Sequence, residues 1–351
     1  MYNFVKIKAV TKSLLRKSLG DRNYEKIIQL VRQIRSVNKN IFRKTSHLKF
    51  QIKGRILKRP VRILLSRYGG LGDILLTTPA IRALKKMFPR AFVVFDTSQT
   101  GKELLEGNPD IDQITINSAY CIRSSFDWYW HLTYEYFPEL HIIEGYLKLI
   151  GLDISISNNE KKPIIVLSES DKKFAKELIE SCGISNNELV MGLQVQAGRE
   201  NRRWPLGSFL EVVDYVSNKY HAKIIEFGTK AQPYLGKGIN LVGKCGIKES
   251  AAVLSKCTFL LCNDSFFLHA AGALNVPVVA IFGPSSPDKR LPFNDISRAV
   301  WSEEGCRGCI YTKSSPQLAG TDCVRSFIEC MHAIKPEKVI EAIEKLISNH
   351  R

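Results

Sequence analysis

From Pro60 onward, short runs of consecutive apolar residues alternate with stretches in which apolar positions recur every three or four residues. VRILLS (61–66), AFVVFD (91–96) and IDQITI (111–116) have the length and β-branched content of strands. Between them, ILLTTPAIRALKKMF (74–88) and KELLEGN (102–108) carry the helical period. An irregular aromatic stretch, SSFDWYWHLTYEYFPEL (124–140), leads to a helix in HIIEGYLKLIG (141–151). After a polar, lysine-containing segment near 155–163 the alternation starts again. KKFAKELIESC reads as a helix, and LVMGLQV, AKIIEFG, TFLLCND and VPVVAIFG read as buried parallel strands. Helices in GSFLEVVDYVSNKY, IKESAAVLSK and SFFLHAAGAL separate those strands. Two strand–helix series predict an α/β protein of two Rossmann-like, doubly wound domains facing a cleft, at 61–160 and 161–351. Ligands of such sheets bind at the carboxyl ends of the strands.

Residues 1–60 follow a different rule. Tyr24, Ile27, Val31, Ile34 and Ile41 fall at helical spacing, with Arg32, Arg35, Lys39 and Arg43 on the other face. This arm holds 17 Lys+Arg against Asp21 and Glu25, whereas the rest of the chain holds 34 against 32. The chain's net charge of +17 therefore belongs almost entirely to the arm. A basic amphipathic helix suits an anionic membrane surface; a solvated helix packed on the body, or a loose tail, is the alternative. Nucleic acid is disfavoured, since no aromatic interleaving or binding motif accompanies the charge. No apolar run reaches 18 residues, so no membrane-spanning helix is expected, and the N-terminus does not read as a secretory signal.

Four strand ends carry candidate chemistry. In GGLGD, Gly69, Gly70 and Gly72 lead to Asp73 near a helix N-terminus, where the dipole favours a carboxylate. Asp73 there serves either as general base or as a plain helix cap. In QVQAGRENRRWPL, Arg199, Arg202 and Arg203 can grip a diphosphate, or form a solvated basic loop in which Trp204 and Pro205 open the next helix. In CNDSFFLHAAGAL, Asp264, Ser265 and His269 stand at a strand-to-helix junction that can receive phosphate and sugar hydroxyls, or simply cap the helix. The fourth, IFGPSSPDK, reads as architectural. The nine cysteines fit reduced thiols or a metal site better than a disulfide framework. Cys306, Cys309, Cys323 and Cys330 have spacing that admits a structural zinc, free thiols or a disulfide.

These segments, in this order, resemble glycosyltransferase family 9, the ADP-heptose:lipopolysaccharide heptosyltransferases. The pieces that carry the resemblance are GGLGDILLTTPAIRALK, AGRENRRWP, LVGKCGIKESAAVLSKC, NDSFFLHAAGALNVPVVAIFGPSSP and the C-terminal cysteines, between about Arg62 and Ile347. The resemblance implies the GT-B architecture and inverting transfer of a heptose or related sugar from a nucleoside-diphosphate donor to a lipid-linked saccharide. Asp73 would be the general base. Arg202, Asp264, Ser265, His269, Cys245 and Gln232 would face the donor, with ADP-heptose or another nucleotide sugar as ligand and no metal needed for catalysis. The enzyme would work in the cytoplasm at the inner face of the bacterial inner membrane. Arg202 stands where the family has lysine, and Phe266 where it has glycine. A non-catalytic nucleotide-sugar-binding protein on the same fold is the alternative.

Overall fold

A computed structural model describes residues 60–348 apart from 186, 231–233, 311–322 and 324–326. The basic arm and Gln232 lie outside the described residues, so the membrane and donor-binding expectations attached to them do too. From Pro60 the chain forms one compact unit.

That unit contains two parallel sheets. In the first, β1 (Arg62–Ser66), β2 (Phe92–Thr97), β3 (Gln113–Ile116) and β4 (Trp128–His131) lie in the order β3-β2-β1-β4. The second is ordered β10-β9-β8-β5-β6-β7, from β5 (Val190–Gln194), β6 (Lys223–Glu226), β7 (Ile239–Asn240), β8 (Phe259–Asn263), β9 (Val278–Phe282) and β10 (Ser297–Trp301). Every residue of β5, β8 and β9 is buried, as expected for strands covered by helices on both faces. Helices of the first half are α1 (Leu71–Leu75), α2 (Thr78–Met87), α3 (Gln99–Leu105), α4 (Ala119–Ile122) and α5 (Ile142–Leu149). Those of the second are α6 (Glu169–Ser181), α7 (Leu206–Tyr220), α8 (Ile247–Leu254), α9 (Phe266–Leu274), α10 (Glu329–His332) and α11 (Pro336–Ser348).

The structure departs from the sequence expectation in several places, the helices α4, α10 and α11 among them. The aromatic stretch contains a strand: β4 pairs parallel with β1, Ile63 opposite Trp128 and Ser66 opposite His131. The short edge strands β7 and β10 were not expected either, because neither has a continuous apolar run. The helix expected over 74–88 is two helices. Pro79 has no N–H, so the ladder breaks there; the Thr77 and Thr78 hydroxyls donate to the carbonyls of Ile74 and Leu75, at 2.7 and 2.8 Å. The break frees α1 as a separate single turn whose direction is set by the glycine loop, and α1 carries Asp73.

The carboxyl edge of the first sheet is fixed by Asp96, which is fully buried at the end of β2. Its carboxylate accepts from Thr115 Oγ1, Ser118 N and Oγ, Ala119 N and the Tyr68 hydroxyl. Burial opposes its charge, but the donors of Thr115, Tyr68, Ser118 and Ala119 outweigh that and hold the carboxyl below its usual range. Tyr68, directly after β1, is thereby tied across the sheet edge at the start of the glycine loop.

Candidate active site

A cleft of about 430 Å³ lies at the carboxyl ends of both sheets, walled by Gly70, Gly72 and Asp73 on one side and by Gln194, Arg202, Asp264, Ser265, Phe266, His269 and Arg290 on the other. Segments 69–73, 194–202 and 264–269, far apart in sequence, meet here.

Gly69 takes φ +103°, a backbone state that side chains rarely adopt, and turns the chain out of β1. Gly72 serves another purpose: a Cβ there would come within 2.7 Å of the His269 ring and 3.6 Å of the Phe266 Cα. Its missing side chain lets α1 pack onto α9, joining the two halves of the cleft. Asp73 is not the cap of α1. Gly70 holds that position, with no side-chain cap bond, and Asp73 falls three residues later in the first turn. Its carboxylate is 22% exposed, and its Oδ2 accepts from Arg67 Nη2 at 3.1 Å.

Across the cleft Asp264 is 2% exposed, between Arg202 Nη1 at 3.2 Å and Arg290 Nε at 3.4 Å, both on Oδ2. By strict geometry neither carboxylate oxygen has a directed hydrogen bond among the described residues, although the Ser285 hydroxyl lies close enough to help hold the charge. Burial works against the charge, but Arg290 and Arg202 overcome it, and the carboxyl is held down at about 2. A buried, ionised acceptor with spare lone pairs is an arrangement that a polyhydroxylated ligand completes. Ser265 occupies the N-cap of α9 but makes no capping bond; its hydroxyl donates to Gln194 Oε1 at 2.8 Å, leaving the first N–H groups of α9 to the cleft. His269, 3% exposed, is pushed down to about 4, chiefly by burial and by Arg290, against the pull of Asp264 and Asp73. It is a neutral imidazole near neutrality, and its Nδ1 has no partner among the described residues.

Trp204 is core. Its indole N–H donates to Ile334 O, its ring stands edge-on to Phe209 at 4.9 Å, and its backbone N–H donates to Asn263 Oδ1. The tryptophan thus anchors the loop that presents Arg199 and Arg202. Phe266 lines the cleft at the first turn of α9, where it meets Phe267 edge-on at 5.4 Å. Cys245 is not in the described wall, although Ile247, two residues on, is. Reading the sequence missed Arg290, which comes one residue after the segment taken as architectural, and Arg67 and Glu135. The Arg-Tyr-Gly-Gly sequence was the available signal for Arg67.

Cys306, Cys309, Cys323 and Cys330 neighbour one another closely enough to affect each other's acidity, and Cys306 hydrogen-bonds Cys330. Burial, then the other thiols, pushes Cys330 up to about 12. Among the described residues no three Cys, His, Asp or Glu side chains converge to hold a metal ion. Most of the chain joining Cys309 to Cys330 is outside that set.

Comparison with known proteins agrees with this geometry. The model of glycosyltransferase family 9 (heptosyltransferase) matches residues 124–319, more than half of the chain. Lipooligosaccharide heptosyltransferase 2 of Campylobacter jejuni subsp. jejuni serotype O:6 is 25% identical over 320 residues, spanning 79% of this chain and 96% of the relative. Among solved structures, a family 9 glycosyltransferase of Veillonella parvula superposes with a TM-score of 0.67 at 20% identity, over 84% of this chain and 99% of that one. The ADP-heptose LPS heptosyltransferase II of E. coli gives 0.62 at 18%, over 83% and 99%. With two parallel sheets facing one cleft and a matching family model across more than half its length, the chain belongs to glycosyltransferase family 9 and is a glycosyltransferase of the GT-B fold.

Proposed function

We propose that the enzyme is an inverting transferase that moves a heptose from ADP-heptose to a lipopolysaccharide-type, lipid-linked acceptor. The observation that carries this reading is the pairing of two unlike aspartates across one cleft: Asp73, accessible and in the first turn of α1, and Asp264, buried, ionised and short of donors. The relatives named for heptosyl transfer and ADP-heptose support the choice of donor. Asp264 accepts from sugar hydroxyls. Arg202, Arg290 and the N–H groups of α9 take the diphosphate, two cations against one carboxylate leaving a net positive charge for it.

In the transfer step the acceptor hydroxyl attacks the anomeric carbon from the face opposite the diphosphate, and Asp73 takes its proton. The carbon–oxygen bond to the acceptor forms as the bond to the diphosphate breaks, and the electron pair leaves on the diphosphate oxygen. Backside attack gives inversion. Residues 1–60 would hold the enzyme at the anionic inner face of the bacterial inner membrane, where such an acceptor is anchored.

The test measures binding and transfer with ADP-, GDP- and UDP-sugars, ADP-heptose included, for wild type and Asp73→Asn. Selective binding of ADP-heptose is expected, with transfer lowered by on the order of 10²–10⁴-fold in Asp73→Asn while donor affinity is kept. Wild-type transfer by Asp73→Asn would remove Asp73 from the mechanism; selective binding of another donor would overturn the choice of heptose.

A further inference from the structure

Arg67 carries more contacts than a salt bridge requires. Its side chain is 7% exposed. Nη1 donates to Leu132 O at 2.9 Å and Glu135 Oε2 at 3.2 Å, and Nη2 donates to Glu135 Oε1 at 2.9 Å and Asp73 Oδ2 at 3.1 Å. The guanidinium lies against the rings of Tyr134 and Tyr146, with centroids 5.1 and 5.8 Å away. Its backbone is pinned as well: Arg67 N donates to Asp96 O, and Thr97 Oγ1 donates to Arg67 O. Tyr146 in turn donates its hydroxyl to the Asp73 carbonyl at 3.2 Å. One cation, immobilised from both ends, is therefore shared between Asp73 and Glu135.

The geometry points to Arg67 and Glu135 as positioning residues that together set both the orientation and the charge balance of Asp73; this rests on the reading of Asp73 as the base. Arg67 occupies Oδ2 and so leaves Oδ1, which has no described partner, for the acceptor proton. The two residues have opposite electrostatic effects. The cation favours the ionised carboxylate of Asp73, while Glu135, gripping the same guanidinium by both oxygens, draws off part of that field. Without Glu135 the guanidinium loses the two-point grip that sets its angle to Asp73. Without Arg67 the carboxylate loses both its orientation and its nearest counter-charge. The other titratable or charged groups around Asp73 are Tyr134, Tyr146 from α5 and His269 from α9, with Arg199, Arg202, Arg290 and Asp264 also in the cleft wall. All of these are unchanged in the variants below, so they cannot produce shifts of opposite sign.

The experiment records kcat, KM for the donor and the pH dependence of kcat/KM for wild type, Arg67→Met, Arg67→Lys, Glu135→Gln and Asp73→Asn. Arg67→Met is expected to lower kcat on the order of 10²-fold, with donor KM little changed and the acidic limb moved to higher pH. Glu135→Gln, at a side chain 35% exposed, moves the same limb to lower pH. Arg67→Lys brings the limb back towards wild type but not kcat, since an ammonium lacks the fork that holds two carboxylates at once. Limbs that move in the same direction, or not at all, in Arg67→Met and Glu135→Gln overturn the inference. If Arg67→Met does not fold, an unmoved limb in Glu135→Gln overturns it alone. Full activity in Asp73→Asn is a different result, which sinks the assignment of the base itself.

Discussion

The two aspartates of the cleft each follow a strand and open a helix, yet their surroundings fit them for opposite tasks. Asp73 keeps a fifth of its surface in solvent and shares one arginine with another carboxylate. Asp264 is sealed between two arginines and beside a neutral histidine, held as an anion down to about pH 2. A group that must exchange a proton needs access and a balanced field; a group that must always accept hydrogen bonds needs burial and an excess of positive charge. On the proposed reading, the same residue type serves as a base or a fixed acceptor according to how many cations it shares and with whom.

Stability separates the two most sharply. Asp264→Asn leaves two buried guanidinium groups without their carboxylate, and is expected to cost about 3 kcal/mol, the range for breaking a buried ion pair. Asp73→Asn, at a partly solvated pair, should cost less than about 1 kcal/mol while lowering transfer on the order of 10²–10⁴-fold. Urea unfolding of both at neutral pH checks this, and equal losses would erase the distinction drawn here.

Gly72→Ala tests the contact between the halves. The added methyl meets the His269 ring at 2.7 Å, so α1 and α9 must separate, at about 1–3 kcal/mol. Asp73 is carried away from Asp264, and kcat is expected to fall more than donor affinity. Gly70→Ala is the control: its Cβ would meet nothing closer than Asp73 Oδ2 at 3.8 Å.

The smallest effect concerns pH. His269 and His141 are held neutral, pushed down to about 4 and about 3, His141 chiefly by burial. Between pH 6.5 and 4.5 the unfolded chain binds protons at both that the folded chain refuses, so stability falls as pH falls. Glu226, raised to about 7 by burial, works the other way, since the folded state keeps a proton there that the unfolded state has lost. The three together give a net loss on the order of 1 kcal/mol per pH unit on acidification. Glu226→Gln removes the compensation and should roughly double the slope of Tm against pH; an unchanged slope would show that Glu226 is ionised in the fold.

Much of this was legible in the sequence where one segment carried its own signal. The strands of the second sheet are unbroken apolar runs, and Asp73, Asp264 and His269 stand at strand ends marked by glycines or a helix start. The residues that were missed act only through assembly. Glu135 lies in an aromatic stretch whose strand is four residues long, too short to show a period, and its partner Arg67 is 68 positions away in sequence. Arg290 enters the cleft from a turn with no periodicity at all. Pro79 did announce the helix break, and overlooking it would place Asp73 on a long rigid helix instead of a single turn.

The bare backbone of Gly72 against the His269 ring leaves no slack at the middle of the cleft. Any rocking of the two halves that preserves this contact must turn about it, as a door about its hinge. Points near such a fulcrum hardly travel, whereas the outer rims swing widely. Ligands can then be admitted and released at the periphery while the distance from Asp73 to Asp264 stays nearly constant.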